Sequence, residues 1–278
     1  MLSSIDKVIK EKLLHAPKSL ITEIHNEIPI KYNSVNVLVG KQGCGKTVAA
    51  LSEIIKISAL GTHHLLIYVT KTGDENDKSW QALKSLLCMP VVVVSEKSVI
   101  DVVDEIISAK NLYYLIKREK LENEQEEDQQ RDMLDTLHIT DFSADQLHTI
   151  ILFDDISNSS LFSSEESYFS QQLRRCRHTN ITYFLLIQGW KGIKPHIKNE
   201  ITKLMIFPCF NNQQLHYIYS QSASNLSYEE FSSLYKTVRD KKRQEMSREE
   251  NYDETNRQYL IVQVTDGGET FIYPAVPL

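Results

Sequence analysis

No apolar run in this 278-residue chain approaches the roughly 20 residues that a membrane-spanning helix needs, so no span is expected. The opening stretch, MLSSIDKVIKEKLLHAPKSL, is charged throughout and lacks the apolar centre and cleavage site of a signal peptide. Cysteine is sparse. Cys44, Cys88, Cys176 and Cys209 show no metal-ligand spacing, which predicts reduced thiols in a cytosol-like compartment. An excess of base is also missing: the net charge of −6 does not announce a nucleic-acid binder. An oligomer can nevertheless line a channel with a basic face while its outside is acidic. No internal repeat is visible, and no Asn-Lys-x-Asp base-recognition motif of the GTPases occurs. What remains is an ordinary globular composition, 41% hydrophobic and 24% charged, long enough for one large α/β domain with small appendages.

The stretch SVNVLVGKQGCGKTVAAL organises the rest. An alternating run, Val35-Val37-Val39, leads into Gly40, Lys41, Gln42, Gly43, Cys44, Gly45, Lys46 and Thr47, and a helix-forming run follows. This is the G-x-x-x-x-G-K-[ST] phosphate loop (Walker A) with a strand before it and a helix after it. The glycines permit backbone angles and approaches that a Cβ would block, so that successive N–H groups can turn inward on an anion. The helix starting near Lys46 aims its positive end at the same place. Lys46 is expected to reach the β- and γ-phosphates and Thr47 to ligate Mg²⁺. A ligand-free glycine turn is the bland alternative, and the complete motif with its flanks argues against it.

Along the chain, residues 4–20 read as a helix, 47–59 as the phosphate-loop helix and 64–69 as a second strand. A polar loop, 70–78, and a helix over 80–87 come next. Pro90 precedes four consecutive valines, the pattern of a parallel strand buried on both faces. A long helix over 97–120 decays into an acidic stretch, 121–132, best taken as a solvated helix end. Residues 165–175 read as helix, 181–187 as a buried strand, 193–199 as a short helix and 201–207 as a further strand. Residues 225–250 are helical, with Tyr228, Phe231, Leu234, Tyr235 and Val238 forming an apolar stripe. Its basic residues are interleaved with acids, which suits a solvated face better than a nucleic-acid patch. Residues 259–264 and 270–273, around Asp266-Gly267-Gly268, predict a terminal hairpin.

The run Ile150 to Phe153 ends in Asp154-Asp155. In a phosphate-loop protein such a strand, expected beside the first, delivers an acid to the metal. Asp154 is thereby the Mg²⁺ carboxylate opposite Thr47, and Asp155 the carboxylate placed to polarise the attacking water. Gln188 stands at the carboxyl end of the strand 181–187, where ligands bind in parallel sheets, and can sense the γ-phosphate or orient water. Elsewhere it would be a turn-forming amide. Arg174, Arg175 and Arg177 cluster at a helix end, where favourable interaction with the helix terminus is the plain explanation. One of them serving as an arginine finger is the functional alternative, as is a cluster facing DNA phosphates.

About a hundred residues and two strands separate Lys46 from Asp154, and another strand, ending in Gln188, follows. That order fits the α/β, three-layer P-loop NTPase fold of the additional-strand (ASCE, RecA-like) class. An extra strand lies there between the two motif strands of a mostly parallel central sheet flanked by helices. Domain limits are expected at 1–32 for an N-terminal helical extension, 33–210 for the ATPase core and 211–278 for a C-terminal helix and hairpin packed on it.

GKQGCGKT, IILFDD, RRCRHTNIT and FLLIQG, in that order, resemble the DNA-packaging ATPases of poxviruses, other large DNA viruses and virophages, within the FtsK–HerA superfamily. The most telling match is Arg177-His178-x-Asn180-Ile181 running into the strand that ends in Gln188. The resemblance covers about residues 33–210. It implies an ATP- and Mg²⁺-dependent motor that forms a homo-oligomeric ring on double-stranded DNA and fills a preformed capsid. DNA would be gripped without regard to sequence, and capsid vertex proteins would be partners. It further implies the host cytoplasm at the viral assembly site, or the virion, as location. Lys46, Thr47, Asp154, Asp155 and Gln188 carry over, whereas Arg174, Arg175 and Arg177 compete as the finger supplied to a neighbour, with Arg131 a weaker candidate. Asp155 departs from the commoner Glu. Loops 71–78 and 191–198 are candidate DNA grips.

Three rivals stand beside the packaging motor. A helicase or DNA-transfer ATPase of the same superfamily would need additional domains. A nucleotide-dependent switch or scaffold with slow hydrolysis is kept alive by the short Asp155. A metabolic kinase lacks any evident second-substrate lid.

Overall fold

Strand β1 (Val35–Val39) is buried along its whole length because it has parallel neighbours on both sides, β5 (Ile181–Ile187) and β6 (Lys203–Ile206). The computed structural model describes residues 33–59, 65–71, 84, 87–119, 148–156, 159–222, 226–247, 259–264 and 270–274. Beyond β5 lie β4 (Thr149–Phe153), β2 (Leu65–Thr70) and β3 (Val91–Ser95), all parallel. On the other side β7 (Leu260–Val264) and β8 (Thr270–Pro274) join antiparallel. The sheet has eight strands in the order β3-β2-β4-β5-β1-β6-β7-β8.

Two expectations are corrected here. The strand that carries Asp154 does not lie beside β1; β5 is hydrogen-bonded between them. That is the additional-strand arrangement which the spacing predicted. The four valines are not a doubly buried strand either. β3 is an edge paired only to β2 among the described residues, and Val91, Val92 and Val93 are half-buried. Apolar composition alone does not say how many neighbours a strand has.

Strand alternation divides the core between the two faces. Helix α1 (Lys46–Ala59) presents Ala50, Leu51, Ile54 and Ile57 at helical spacing to Leu38, Leu66, Leu152, Phe184 and Leu186. Each Leu or Ile so buried contributes about 1.5–3 kcal/mol. On the opposite face Val99, Val103 and Ile106 of α2 (Val99–Glu119) and Phe169 and Leu173 of α3 (Tyr168–Arg174) pack on Val37, Val69, Phe153 and Ile187. The predicted helix 165–175 is thus shorter, and a separate turn of helix, α4 (Cys176–Thr179), follows it. Asn180 closes α4 with a left-handed φ of 52° and starts β5. A single turn, α5 (Pro195–Lys198), precedes β6.

The C-terminal third extends the sheet rather than only covering it. Helix α6 (Asn212–Tyr219), not foreseen, begins with a reciprocal capping box between Asn211 and Gln214. Helix α7 (Tyr228–Ser247) buries Phe231, Tyr235 and Val238 of the predicted stripe. The Tyr235 hydroxyl donates to Phe207 O at 3.1 Å and accepts from Phe210 N at 2.8 Å. The hairpin is then tied to the phosphate-loop helix through Glu53. Lys203 Nζ on β6 reaches its carboxylate at 3.5 Å, the Tyr259 hydroxyl donates to it at 3.4 Å, and Lys56 Nζ lies 3.2 Å away. Burial alone would raise the Glu53 carboxyl, but Lys203 and Lys56 outweigh it and hold the group below its usual range. The expected helices over 4–20 and 80–87, the acidic stretch 121–132 and Arg131 fall wholly or largely outside the described residues.

Candidate nucleotide-binding site

The phosphate loop leaves the carboxyl end of β1 and is fixed to the strands around it. Gly40 N donates to Ile187 O at 3.1 Å, and Lys41 N donates to the Cys209 thiol at 3.2 Å. A Cβ on Gly40 would come within 2.5 Å of Cys44 Sγ and 2.9 Å of Phe207 Cβ, so only glycine fits there. Gly43 and Gly45 take φ of 73° and 94°, the left-handed region that glycine enters without steric cost. Gln42 and Gly43 form the exposed crown of the loop, and Cys44 is buried under it. Lys46 is 9% exposed, and its ammonium donates to Gly40 O at 2.7 Å and Lys41 O at 3.0 Å. The cation therefore sits inside the arc of the loop it serves. Thr47, half-buried, follows in the first turn of α1.

The acidic pair arrives from β4. Asp154 N continues the ladder by donating to Val69 O at 3.0 Å. Alternation puts its side chain on the α1 face, where Asp154 Oδ2 accepts the Tyr68 hydroxyl at 2.9 Å. The chain then breaks its alternation: Asp155 has φ of 60°, and Ile156 N returns to the sheet by donating to Leu186 O at 3.1 Å. Asp tolerates this conformation better than most residues. Gln188, the first residue beyond β5, donates from Nε2 to Asp155 Oδ2 at 2.6 Å. Lys71 Nζ lies 3.6 Å from the same oxygen. The loop, both aspartates and Gln188 thus gather at the carboxyl edge of adjacent strands.

Among the described residues no group of three or more His, Cys, Asp or Glu forms a metal cage. A carboxylate and a hydroxyl, Asp154 and Thr47, are hard oxygen donors of the kind Mg²⁺ takes when substrate phosphates and water complete its shell.

The arginines are placed elsewhere. Arg174 ends α3, Arg175 joins it to α4 and Arg177 lies within α4, which precedes β5 at the amino edge of the sheet. The seven residues of β5, about 20 Å of strand, separate them from Gln188. Arg174 pairs with Glu165 at 3.3 Å and Glu200 at 3.7 Å, while Arg175 and Arg177 are exposed. None of the three joins the phosphate site of its own chain. In the segment 191–198, Lys191 and Lys194 line a cavity of about 450 Å³ with Ile156, Phe162 and Ile193. Lys198 Nζ lies 5.0 Å from the centre of the Trp190 ring and 5.4 Å from that of Tyr217. Residues 72–78, the other expected grip, lie outside the described residues.

Sequence reasoning missed three contributors. As a sequence Tyr68 is simply part of an apolar strand, although a phenol two residues from the carboxyl end of a core strand is a signal worth following. Nothing marked Cys209 as an acceptor for the loop, and Lys71 was read as a DNA grip only.

A phosphate loop between β1 and α1, with an extra strand separating β1 from the acidic strand, defines a P-loop NTPase fold of the additional-strand class. No family model and no curated protein matches the sequence. Solved structures are similar at low identity. The DNA-packaging ATPase B204 of Sulfolobus turreted icosahedral virus is 11% identical, with a TM-score of 0.47 over 88% of this chain and 98% of that one. The pCW3 conjugation coupling protein TcpA, in complex with ATPγS, is 13% identical, with a TM-score of 0.48 over 87% and 60% of the two chains. ATPases 2 and 3 of EssC from Geobacillus thermodenitrificans are 10% identical, with a TM-score of 0.49 over 88% and 40%.

Proposed function

We propose that this protein is an Mg²⁺-dependent ATP hydrolase that drives double-stranded DNA into a preformed viral capsid. The observation that carries the hydrolase is the pairing of Gln188 with Asp155 at the edge where the phosphate loop ends. The packaging role is supported by the resemblance of the four motifs to viral packaging ATPases.

ATP would lie with its phosphates in the arc of residues 40–47, and Lys46 would exchange loop carbonyls for β- and γ-phosphate oxygens. Thr47 and Asp154 would hold Mg²⁺, which neutralises developing charge on the phosphates. Asp155 accepts the proton of the attacking water as its oxygen bonds to the γ-phosphorus. The bond to the β–γ bridging oxygen breaks, and ADP and phosphate result. Gln188 orients Asp155 and, through it, the water. An arginine reaching this edge would come from a neighbouring copy, since Arg174, Arg175 and Arg177 stand at the far edge of their own chain. Hydrolysis is then coupled to a homo-oligomeric ring. DNA would be held through its phosphates, without sequence preference and with strong salt dependence. Capsid vertex proteins would be the docking partners, and the host cytoplasm or the virion the location.

A second reading, a nucleotide switch with slow hydrolysis, is favoured by one observation: the Lys71 ammonium lies 3.6 Å from Asp155 Oδ2. Turnover of ATP by assembled protein, with and without double-stranded DNA and beside Lys46→Ala, separates the two. Turnover that DNA stimulates and Lys46→Ala abolishes supports the motor. Nucleotide binding without turnover supports the switch.

A further inference from the structure

Lys71 stands one residue beyond β2, at the same carboxyl edge as the acidic pair. Its position there is set by the register of the sheet. Val69 pairs with Phe153, and Asp154 N donates to Val69 O, so the end of β2 runs alongside Asp154 and Asp155. The Lys71 ammonium lies 3.6 Å from Asp155 Oδ2, the oxygen that also accepts the Gln188 amide at 2.6 Å. Lys71 is 62% exposed at its side chain, and Asp155 is 26% exposed.

A carboxylate that is to take a proton from water needs a basic oxygen open to that water. An ammonium within reach of that oxygen occupies the side from which water would approach and competes with water for it. Lys71 therefore opposes the role that Asp155 has in hydrolysis. The contact is also easily undone. Exposed ion pairs of this kind are worth no more than about a fivefold change in an equilibrium, and salt weakens them. A polyanion arriving at the carboxyl edge would compete directly for the ammonium.

We propose that Lys71 is a positioning residue that restrains Asp155, and that a phosphodiester group of bound DNA draws its ammonium away and releases the base. This rests on the reading of Asp155 as the base and of DNA as the track. It adds a route by which DNA engagement raises the rate of hydrolysis. The γ-phosphate of ATP is the other anion that could claim Lys71, and KM for ATP distinguishes it.

The test is steady-state ATP turnover by wild type, Lys71→Met, Lys71→Arg and Lys46→Ala, each with and without double-stranded DNA. Lys71→Met is expected to turn over ATP about two- to fivefold faster than wild type without DNA, at unchanged KM. Its stimulation by DNA should shrink by the same factor, and Lys71→Arg should behave as wild type. A DNA-free rate of Lys71→Met at or below wild type, or a raised KM for ATP, would overturn the proposal. If wild type is stimulated by DNA and silenced by Lys46→Ala in the same experiment, the motor reading survives that failure. A raised DNA-free rate with no response to DNA in any variant would remove DNA as the trigger. Silence from wild type and Lys71→Met under every condition would overturn both readings.

Discussion

The Gln188 side-chain amide donates to Asp155 Oδ2 at 2.6 Å across the boundary between β5 and β4, joining two residues 33 positions apart. The bond fixes one carboxylate oxygen of the acid placed to polarise water. Gln188→Ala should therefore lower kcat about 10²-fold or more while KM for ATP changes little. Asp155→Asn should lose at least as much, and the double variant should cost far less than the product of the two. Steady-state kinetics on the four proteins measures this. Equal, multiplicative losses would mean that the two side chains act independently.

Gly40 is required by space rather than by its backbone angle. A methyl group there would meet Cys44 Sγ and Phe207 Cβ inside contact distance. Gly40→Ala should destabilise the fold by about 1–3 kcal/mol and weaken nucleotide binding. Pairing it with Cys44→Ala should restore part of both, because the thiol is the nearer obstacle. Urea melts and fluorescent-nucleotide titrations check the pair.

The buried Glu53 joins α1 to β6 and β7, so its removal strands a cation. Glu53→Gln should cost about 3–5 kcal/mol by leaving Lys203 buried without its counter-charge, whereas Glu53→Leu with Lys203→Met should cost much less. The folded-state carboxyl lies below its ordinary 4.5, so the unfolded chain binds the proton more readily. The contribution is complete above pH 4.5 and is lost as pH falls through the lower folded value. The gap between the denaturant midpoints of wild type and the double variant should stay constant from pH 7 to pH 4.5 and change only below that.

Lys110 has the opposite sign. It is 3% exposed, its ammonium donates to Thr179 O at 3.0 Å and Asn180 O at 3.2 Å, and burial pulls it from 10.5 to about 7. Between those values the unfolded chain holds more protons than the folded one, so stability rises with pH. Wild type should gain on Lys110→Met between pH 7 and pH 9, by at most about 1.4 kcal/mol per pH unit. Parallel pH dependence of the two proteins would show that the helix-end carbonyls keep Lys110 charged throughout.

The parts of the site that are contiguous in the chain were legible in it. The eight residues Gly40 to Thr47 carry their chemistry in their spacing, and Asp154-Asp155 announces itself at the end of an apolar strand. What joins them was not, because it depends on which strands are neighbours. The Gln188–Asp155 bond and the Lys71 contact exist only because β4 has β5 on one side and β2 on the other. The valines of β3 gave a wrong expectation for the same reason, since an edge and a centre strand can share a composition. Helix α6 was legible in principle, through Asn211 and Gln214 at capping-box spacing. The addition of β7 and β8 to the sheet could not be read from a hairpin pattern that is silent about its partner.

Displacement of a third strand from a DNA triplex reads out whether ATP hydrolysis moves this protein along double-stranded DNA. Wild type with ATP and Mg²⁺ should release the third strand from a long duplex whatever its sequence, while Lys46→Ala and Gln188→Ala should leave it in place. Hydrolysis of ATP on that duplex with the third strand retained would contradict the motor.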